Sequence, residues 1–211
     1  MTSENQAGPS ISFWRKYWFV TTASVLIASI AAILAYQFWW GSTRLPFIKH
    51  VENFTLENLD RKPVQFNELD GKVRLVSFIY TKCPDVCPAT SEIMEKVQEE
   101  LKKKGIFGSE TAFITITFDP QTDTPEVLQR YASAFHADLG GWYFLRGEEA
   151  AIAQVASQFG IGYEKQPDGM YIHTMKTFLV DKDKNIRKMY GMGAGMDINE
   201  IIDDMERLAK E

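Results

Sequence analysis

Apolar residues follow two regimes along the chain. Between Lys16 and Arg44 lie 27 consecutive residues without Asp, Glu, Lys or Arg. The 24 from Tyr17 to Trp40 would make a helix about 36 Å long at about 1.5 Å per residue, enough for a hydrocarbon core of about 30 Å. Beyond residue 50 the apolar positions fall into short runs. Phe54-Thr55-Leu56 and Val64-Gln65-Phe66 alternate on either side of Asn58 to Pro63, which predicts a hairpin. Val73 to Tyr80 is almost continuously apolar, as a strand buried on both faces requires. Ile93, Met94, Val97 and Leu101 then recur at helical spacing until Gly105, and Ala112 to Phe118 predicts a second buried strand. Thr124-Pro125 opens a helix that runs to about His136, because the hydroxyl can cap and proline tolerates the first helical position. A strand at Trp142 to Leu145, a helix from about Glu148 to Phe159, strands at Lys176 to Val180 and Ile186 to Tyr190, and a helix from about Asp197 to Ala209 complete the order. Such alternation predicts an α/β fold with a mixed sheet flanked by helices.

Tyr17, Trp18, Trp39 and Trp40 bracket the first apolar run, where aromatic rings favour the membrane interface. A cleaved secretory signal has an apolar core of about 7 to 15 residues followed by small residues. This run is longer and ends in Phe38-Trp39-Trp40, so an uncleaved anchor is expected. No cysteine lies near residue 40, which argues against a lipoprotein. Arg15 and Lys16 on one side nearly balance Arg44 and Lys49 on the other. Orientation therefore leans on function. The expected division is a tail at 1–16, an anchor at 17–40, a tether at 41–50 and a folded domain at 51–211, with a single crossing of the cell membrane and the domain extracytoplasmic.

Charge narrows the partners. The net charge is −5, and residues 1–40 contribute +1 through Arg15, Lys16 and Glu4, leaving −6 for the rest. Nucleic-acid binders cluster Lys and Arg to displace counterions, so nucleic acid is set aside. The domain is long enough to bury a core without disulfide staples, and its two cysteines need a chemical explanation.

Cys83 and Cys87 follow a buried strand and precede a helix, which places them at the strand's carboxyl end, where open α/β sheets hold ligands. The helix amino terminus and Lys82 both favour thiolate over thiol there. Such cysteines bind soft metals or exchange disulfides. A static disulfide in an extracytoplasmic domain is the plainer alternative, but so short a loop removes little chain entropy. Of three histidines, His50 falls in the tether and His136 at a helix end, both expected to be exposed and inert. His173 precedes the strand at Lys176 to Val180. Structural zinc normally needs four Cys or His ligands, whereas two thiolates and one imidazole form a credible copper set for Cu(I) or Cu(II).

From about Val51 to Leu208 the chain resembles the Sco (SenC) family of membrane-tethered, thioredoxin-fold copper proteins that help to build the CuA centre of cytochrome c oxidase. The family's Cys-Pro-x-x-Cys-Pro reads here as Cys83-Pro84-Asp85-Val86-Cys87-Pro88, and its Asp-Pro-x-x-Asp-Thr-Pro as Asp119-Pro120-Gln121-Thr122-Asp123-Thr124-Pro125. The resemblance implies a thioredoxin-like fold and one copper held by Cys83, Cys87 and His173, with Asp119 beside the site. It also implies oxidase subunit II as recipient, and a thiol reductant protein would keep the dithiol competent. Many members carry an acidic residue before the histidine and Ser after it, whereas Ile172 and Thr174 stand here.

Other readings fail or compete. Gly191-Met192-Gly193-Ala194-Gly195 imitates a dinucleotide loop, but Met196 replaces the third glycine and no strand follows the last helix. Met189, Met192 and Met196 could offer thioethers to Cu(I), although packing is the commoner use. The rival from another class is a thiol-disulfide oxidoreductase or a peroxiredoxin-like peroxidase, with Cys83 and Cys87 as a redox pair. Thioredoxin-fold reductases place a cis-proline before the strand facing their cysteines. No proline follows Pro167 here, and His173 lies in that stretch.

Overall fold

The computed structural model describes the backbone of residues 11–41 and 44–211, and side chains for 17–36 and 44–211. Residues 1–10 of the expected tail, the rings of Trp39 and Trp40, and Ser42 lie outside the described residues. Two compact units are present, Met1–Arg44 and Leu45–Glu211. The first contains helix α1 (Ile11–Gly41), whose Tyr17–Tyr36 segment is long and apolar enough to cross a membrane.

In the second unit, Lys49 and His50 form strand β1 rather than tether. They pair antiparallel with β10 (Asn185–Tyr190), whose outer edge would otherwise leave its backbone groups without a strand partner. The Arg187 guanidinium fixes the approach by donating to the carbonyls of Leu45 and Pro46. Strands β2 (Thr55–Glu57) and β3 (Pro63–Gln65) make the expected hairpin. The main sheet has the order β1-β10-β9-β4-β5-β6, with β4 (Val73–Ile79), β5 (Thr111–Thr117), β6 (Trp142–Leu145) and β9 (Thr177–Val180). Strands β4, β5 and β6 are parallel, and β9 is antiparallel to β4.

Helices cover both faces. On one side, α2 (Val86–Lys103) and α5 (Ile198–Lys210) set Met94, Val97, Leu101, Ile201 and Met205 against Val73, Leu75 and Phe113. On the other, α4 (Glu149–Gln158) brings Ile152, Val155 and Ala156 to Val76, Phe78 and Ile114. Alternate residues of β4 therefore serve opposite cores, and each large apolar side chain so buried contributes about 1.5–3 kcal/mol. Helix α2 stops where Gly105, at φ 74°, lets its N–H reach the Lys102 carbonyl. Helix α3 (Pro125–Ala134) begins at the expected Thr124 cap, whose hydroxyl accepts from the Val127 N–H. The fold is thioredoxin-like, a mixed sheet flanked by helices.

Besides β1, the sequence pattern did not predict a second hairpin. Strands β7 (Tyr163–Lys165) and β8 (Tyr171–His173) form a separate antiparallel hairpin, so His173 belongs to its own strand ahead of β9. The turn is Pro167-Asp168-Gly169, with Gly169 at φ 84° and the Asp168 carboxylate accepting from the Met170 N–H. That tripeptide is an ordinary turn signal, the one local cue to the hairpin, between two short segments of mixed polarity.

Candidate metal centre

The cysteine loop is held from below. At the end of β4 the Thr81 N–H and hydroxyl donate to the carboxyl of Asp123, which also accepts from the Thr117 hydroxyl. Asp123 has no exposed surface. The Cys83 N–H then turns back onto the Tyr80 carbonyl at 3.1 Å. Asp85, at the N-cap of α2, makes no side-chain cap. The Cys83 sulfur instead accepts from the Cys87 N–H at 3.4 Å, taking one of the donors that a helix start leaves over.

The two thiols are unbridged, with Cys83 half-buried and Cys87 fully buried. Burial pushes the Cys87 thiol well up. A hydrogen bond from the Tyr80 backbone N–H works against that shift, while Cys83 and Asp123 add to it. The expectation that the helix terminus favours thiolate is corrected for Cys87, because its side chain lies in the core and desolvation outweighs the helix dipole.

His173 reaches the same region from the hairpin. Its ring packs on Phe118 at 4.9 Å and edge-on to Tyr80 at 6.2 Å, and its Nδ1 lies 3.1 Å from the Thr174 carbonyl oxygen. A carbonyl only accepts, so Nδ1 carries the proton and Nε2 keeps a lone pair for a metal. Asp119, at the end of β5, is almost wholly buried and pairs with Lys165 at 3.2 Å. Burial opposes its ionisation, but hydrogen bonds from Thr122, Lys165 and Tyr171 outweigh that and hold its carboxyl below the ordinary value. Lys165 and Tyr171 both belong to the hairpin, so Asp119 fastens the element that carries His173.

Among the described residues, no three His, Cys, Asp or Glu side chains are close enough to hold a metal as they stand. The structure brings Cys83 and Cys87 together and places His173 against Tyr80, three residues before Cys83. Met196 is buried in the α2/α5 core, Met192 packs partly buried on the other core, and Met189 is exposed. His50 contacts Asn185, and His136 contacts Glu95, both as exposed residues. Sequence reasoning missed Tyr80, Asp123, Lys165 and Met170, the last with its Sδ 3.9 Å from the Tyr80 hydroxyl.

A thioredoxin-like domain with paired thiols at a helix start and an imidazole on a neighbouring hairpin defines a class of protein that handles electrons or soft metal ions through sulfur. The chain belongs to the SCO1/SenC family, whose model matches residues 44–210. It is 30% identical over 164 residues to the SCO1 protein homolog of Bacillus subtilis (strain 168), covering 76% of this chain and 83% of the relative. The BsSco structure, which identifies a disulfide switch in a member of the Sco family of cytochrome c oxidase assembly proteins, aligns with TM-score 0.69 and 30% identity over 79% of this chain and 97% of that one. Bradyrhizobium japonicum ScoI with copper bound aligns with TM-score 0.65 and 27% identity, over 76% of this chain and 99% of that one.

Proposed function

We propose that this chain is a membrane-anchored copper metallochaperone that assists assembly of the CuA centre of cytochrome c oxidase subunit II. Cys83, Cys87 and His173 hold one copper ion, Asp119 stands beside them, and loading requires the reduced dithiol. The observation that carries this reading is the donor set. Two unbridged thiols share a helix start, and an imidazole with Nδ1 committed to a carbonyl leaves Nε2 for a metal. Soft sulfur suits Cu(I), and imidazole accepts either oxidation state. The β7–β8 hairpin is separate from the six-stranded sheet, and Tyr163 and Tyr171 pack it against the core on Phe118, which holds His173 on the same side of the domain as the cysteine loop. Helix α1 anchors the chain in the cell membrane with the domain on the outer face, where a partner thiol reductant keeps Cys83 and Cys87 reduced.

Reduced protein should bind one copper per chain. Oxidation to the disulfide, or replacement of both cysteines by alanine, should abolish that binding because the thiolates are lost. Stoichiometric copper in the double cysteine variant would place the site elsewhere. A second reading, thiol-disulfide exchange with partner cysteines, is favoured by the pairing of a half-exposed sulfur with a buried one. His173→Ala separates the two. It should weaken copper binding and leave dithiol cycling intact. Normal oxidase levels in cells with that variant, alongside a defective cysteine variant, would promote the exchange reading.

A further inference from the structure

The segment that follows the anchor is fastened to the folded unit almost at once. Arg187 donates from Nε to the carbonyl of Leu45 at 3.0 Å and to that of Pro46 at 3.3 Å, and its guanidinium is itself held by Asp181 and Glu211. The Ile48 N–H then donates to the Ile186 carbonyl and the Val51 N–H to that of Lys184, each at 2.9 Å. Only residues 42–44 separate Gly41, the last of α1, from the held Leu45. Four residue steps reach at most about 14 Å, so covalent reach alone keeps this segment beside a bilayer that α1 crosses. The segment exposes apolar side chains. Phe47 is 66% exposed, the only Phe, Tyr or Trp of Leu45–Glu211 in the open, and Ile48 next to it is 42% exposed.

We propose that Phe47, with Ile48 beside it, is a lipid-contact site that seats the domain on the membrane crossed by α1. Single exposed apolar residues are ordinary on a protein surface. These two, however, stand where the chain itself brings the domain to lipid, and an apolar ring there gains by leaving water for the boundary between headgroups and acyl chains. A single covalent link would leave the domain free to turn about it. The second contact at Phe47 limits that turning and gives the β1 edge of the sheet a fixed place against the bilayer. The inference rests on the proposed function in taking α1 as membrane-spanning, and on nothing about copper.

The full chain is reconstituted into phosphatidylcholine vesicles with p-benzoylphenylalanine at position 47 and, in a second preparation, at position 139. Leu139 is 46% exposed and precedes β6 at the opposite end of the sheet, so it serves as the reference. Both side chains are already exposed, and an unchanged circular dichroism spectrum checks that the larger ring leaves the fold alone. On irradiation the excited ketone takes a hydrogen from a neighbouring C–H bond and the two carbon radicals join. Contact with lipid is therefore read by mass spectrometry as a chain heavier by one phospholipid. Lipid adducts should form about fivefold more often at 47 than at 139, as the surface that a partly inserted phenyl ring withdraws from water implies. With the probe at 48 instead, Phe47→Ser should cut the lipid adducts, because the ring that holds this edge to the bilayer is gone. A chain that does not float with the vesicles fails the anchor reading of α1 and the inference with it. A chain that floats yet gives equal lipid yields at 47 and 139, or joins a second chain at 47 in place of lipid, overturns the seat at Phe47 alone.

Discussion

Replacing Asp123 tests whether the cysteine loop depends on one buried carboxyl. Asp123 ties Thr81, two residues before Cys83, to Thr117 at the end of β5. In Asp123→Ala the Thr81 N–H loses its acceptor beneath the loop, and two hydroxyls lose theirs. At about 1–3 kcal/mol for a buried donor left unpaired and about 1 kcal/mol for each hydroxyl bond, the cost is about 3–5 kcal/mol. Asp123→Asn keeps an acceptor oxygen and should cost about 1 kcal/mol. The two variants also differ in pH dependence. Burial raises the Asp123 carboxyl above its ordinary 3.8, despite the Thr117 and Thr81 hydrogen bonds. The native state therefore holds this proton more tightly than the unfolded chain. Its contribution is complete below the unfolded value and is lost as pH rises through the folded one. The stability advantage of wild type over Asp123→Asn should accordingly shrink as pH climbs from 4. Urea unfolding of residues 45–211 can be followed through Trp142, the unit's single tryptophan and fully buried. An Ala variant within about 1 kcal/mol of wild type, or an Asn variant whose difference from wild type is constant with pH, would refute the reasoning.

Two further outcomes follow from the same site. Iodoacetamide at neutral pH should modify half-buried Cys83 about tenfold faster than Cys87, whose thiol is buried and pushed up, and comparable rates by mass spectrometry would contradict the burial argument. Lys165→Met removes the cation paired with buried Asp119, and because Lys165 is nearly half-exposed the loss of global stability is small. It should speed amide exchange in the Tyr163 to His173 segment while β4 and β5 stay protected, and unchanged hairpin exchange would sink it. Asp119, held low, gives the opposite slope to Asp123. Its contribution is present above the unfolded value and disappears as pH falls through the folded one, so the variant's deficit should vanish in acid.

The central strands of the main sheet were readable because their side chains must satisfy two cores at once. The run from Val73 to Ile79, apolar but for Arg74 and Ser77, fits a strand buried on both faces. The Thr124-Pro125 start of α3 was equally plain, since both residues act on their own backbone. The β7–β8 hairpin was not, because Tyr163-Glu164-Lys165 and Tyr171-Ile172-His173 are short, mixed in polarity and paired only with each other. Strand β1 was hidden because two polar residues become a strand only when the edge of β10 is present. The motif spacing located Cys83 and Cys87, yet local sequence suggested thiolate character at both. The burial of Cys87 depends on residues of β4, β5 and α4 that meet only in the folded chain.

The β7–β8 hairpin has a reading frame. Strand side chains alternate, so Tyr163 and Lys165 share a face with Tyr171 and His173, while Glu164 and Ile172 point the other way, Ile172 being 67% exposed. One residue inserted inside either strand would turn that strand's set outward and present Glu164 or Ile172 to Phe118 and Tyr80. The hairpin can absorb changes of length at Pro167-Asp168-Gly169, where nothing alternates, but not between Tyr171 and His173. Length can change in the turn without moving the imidazole, whose address is written in the parity of the strand as much as in the histidine itself.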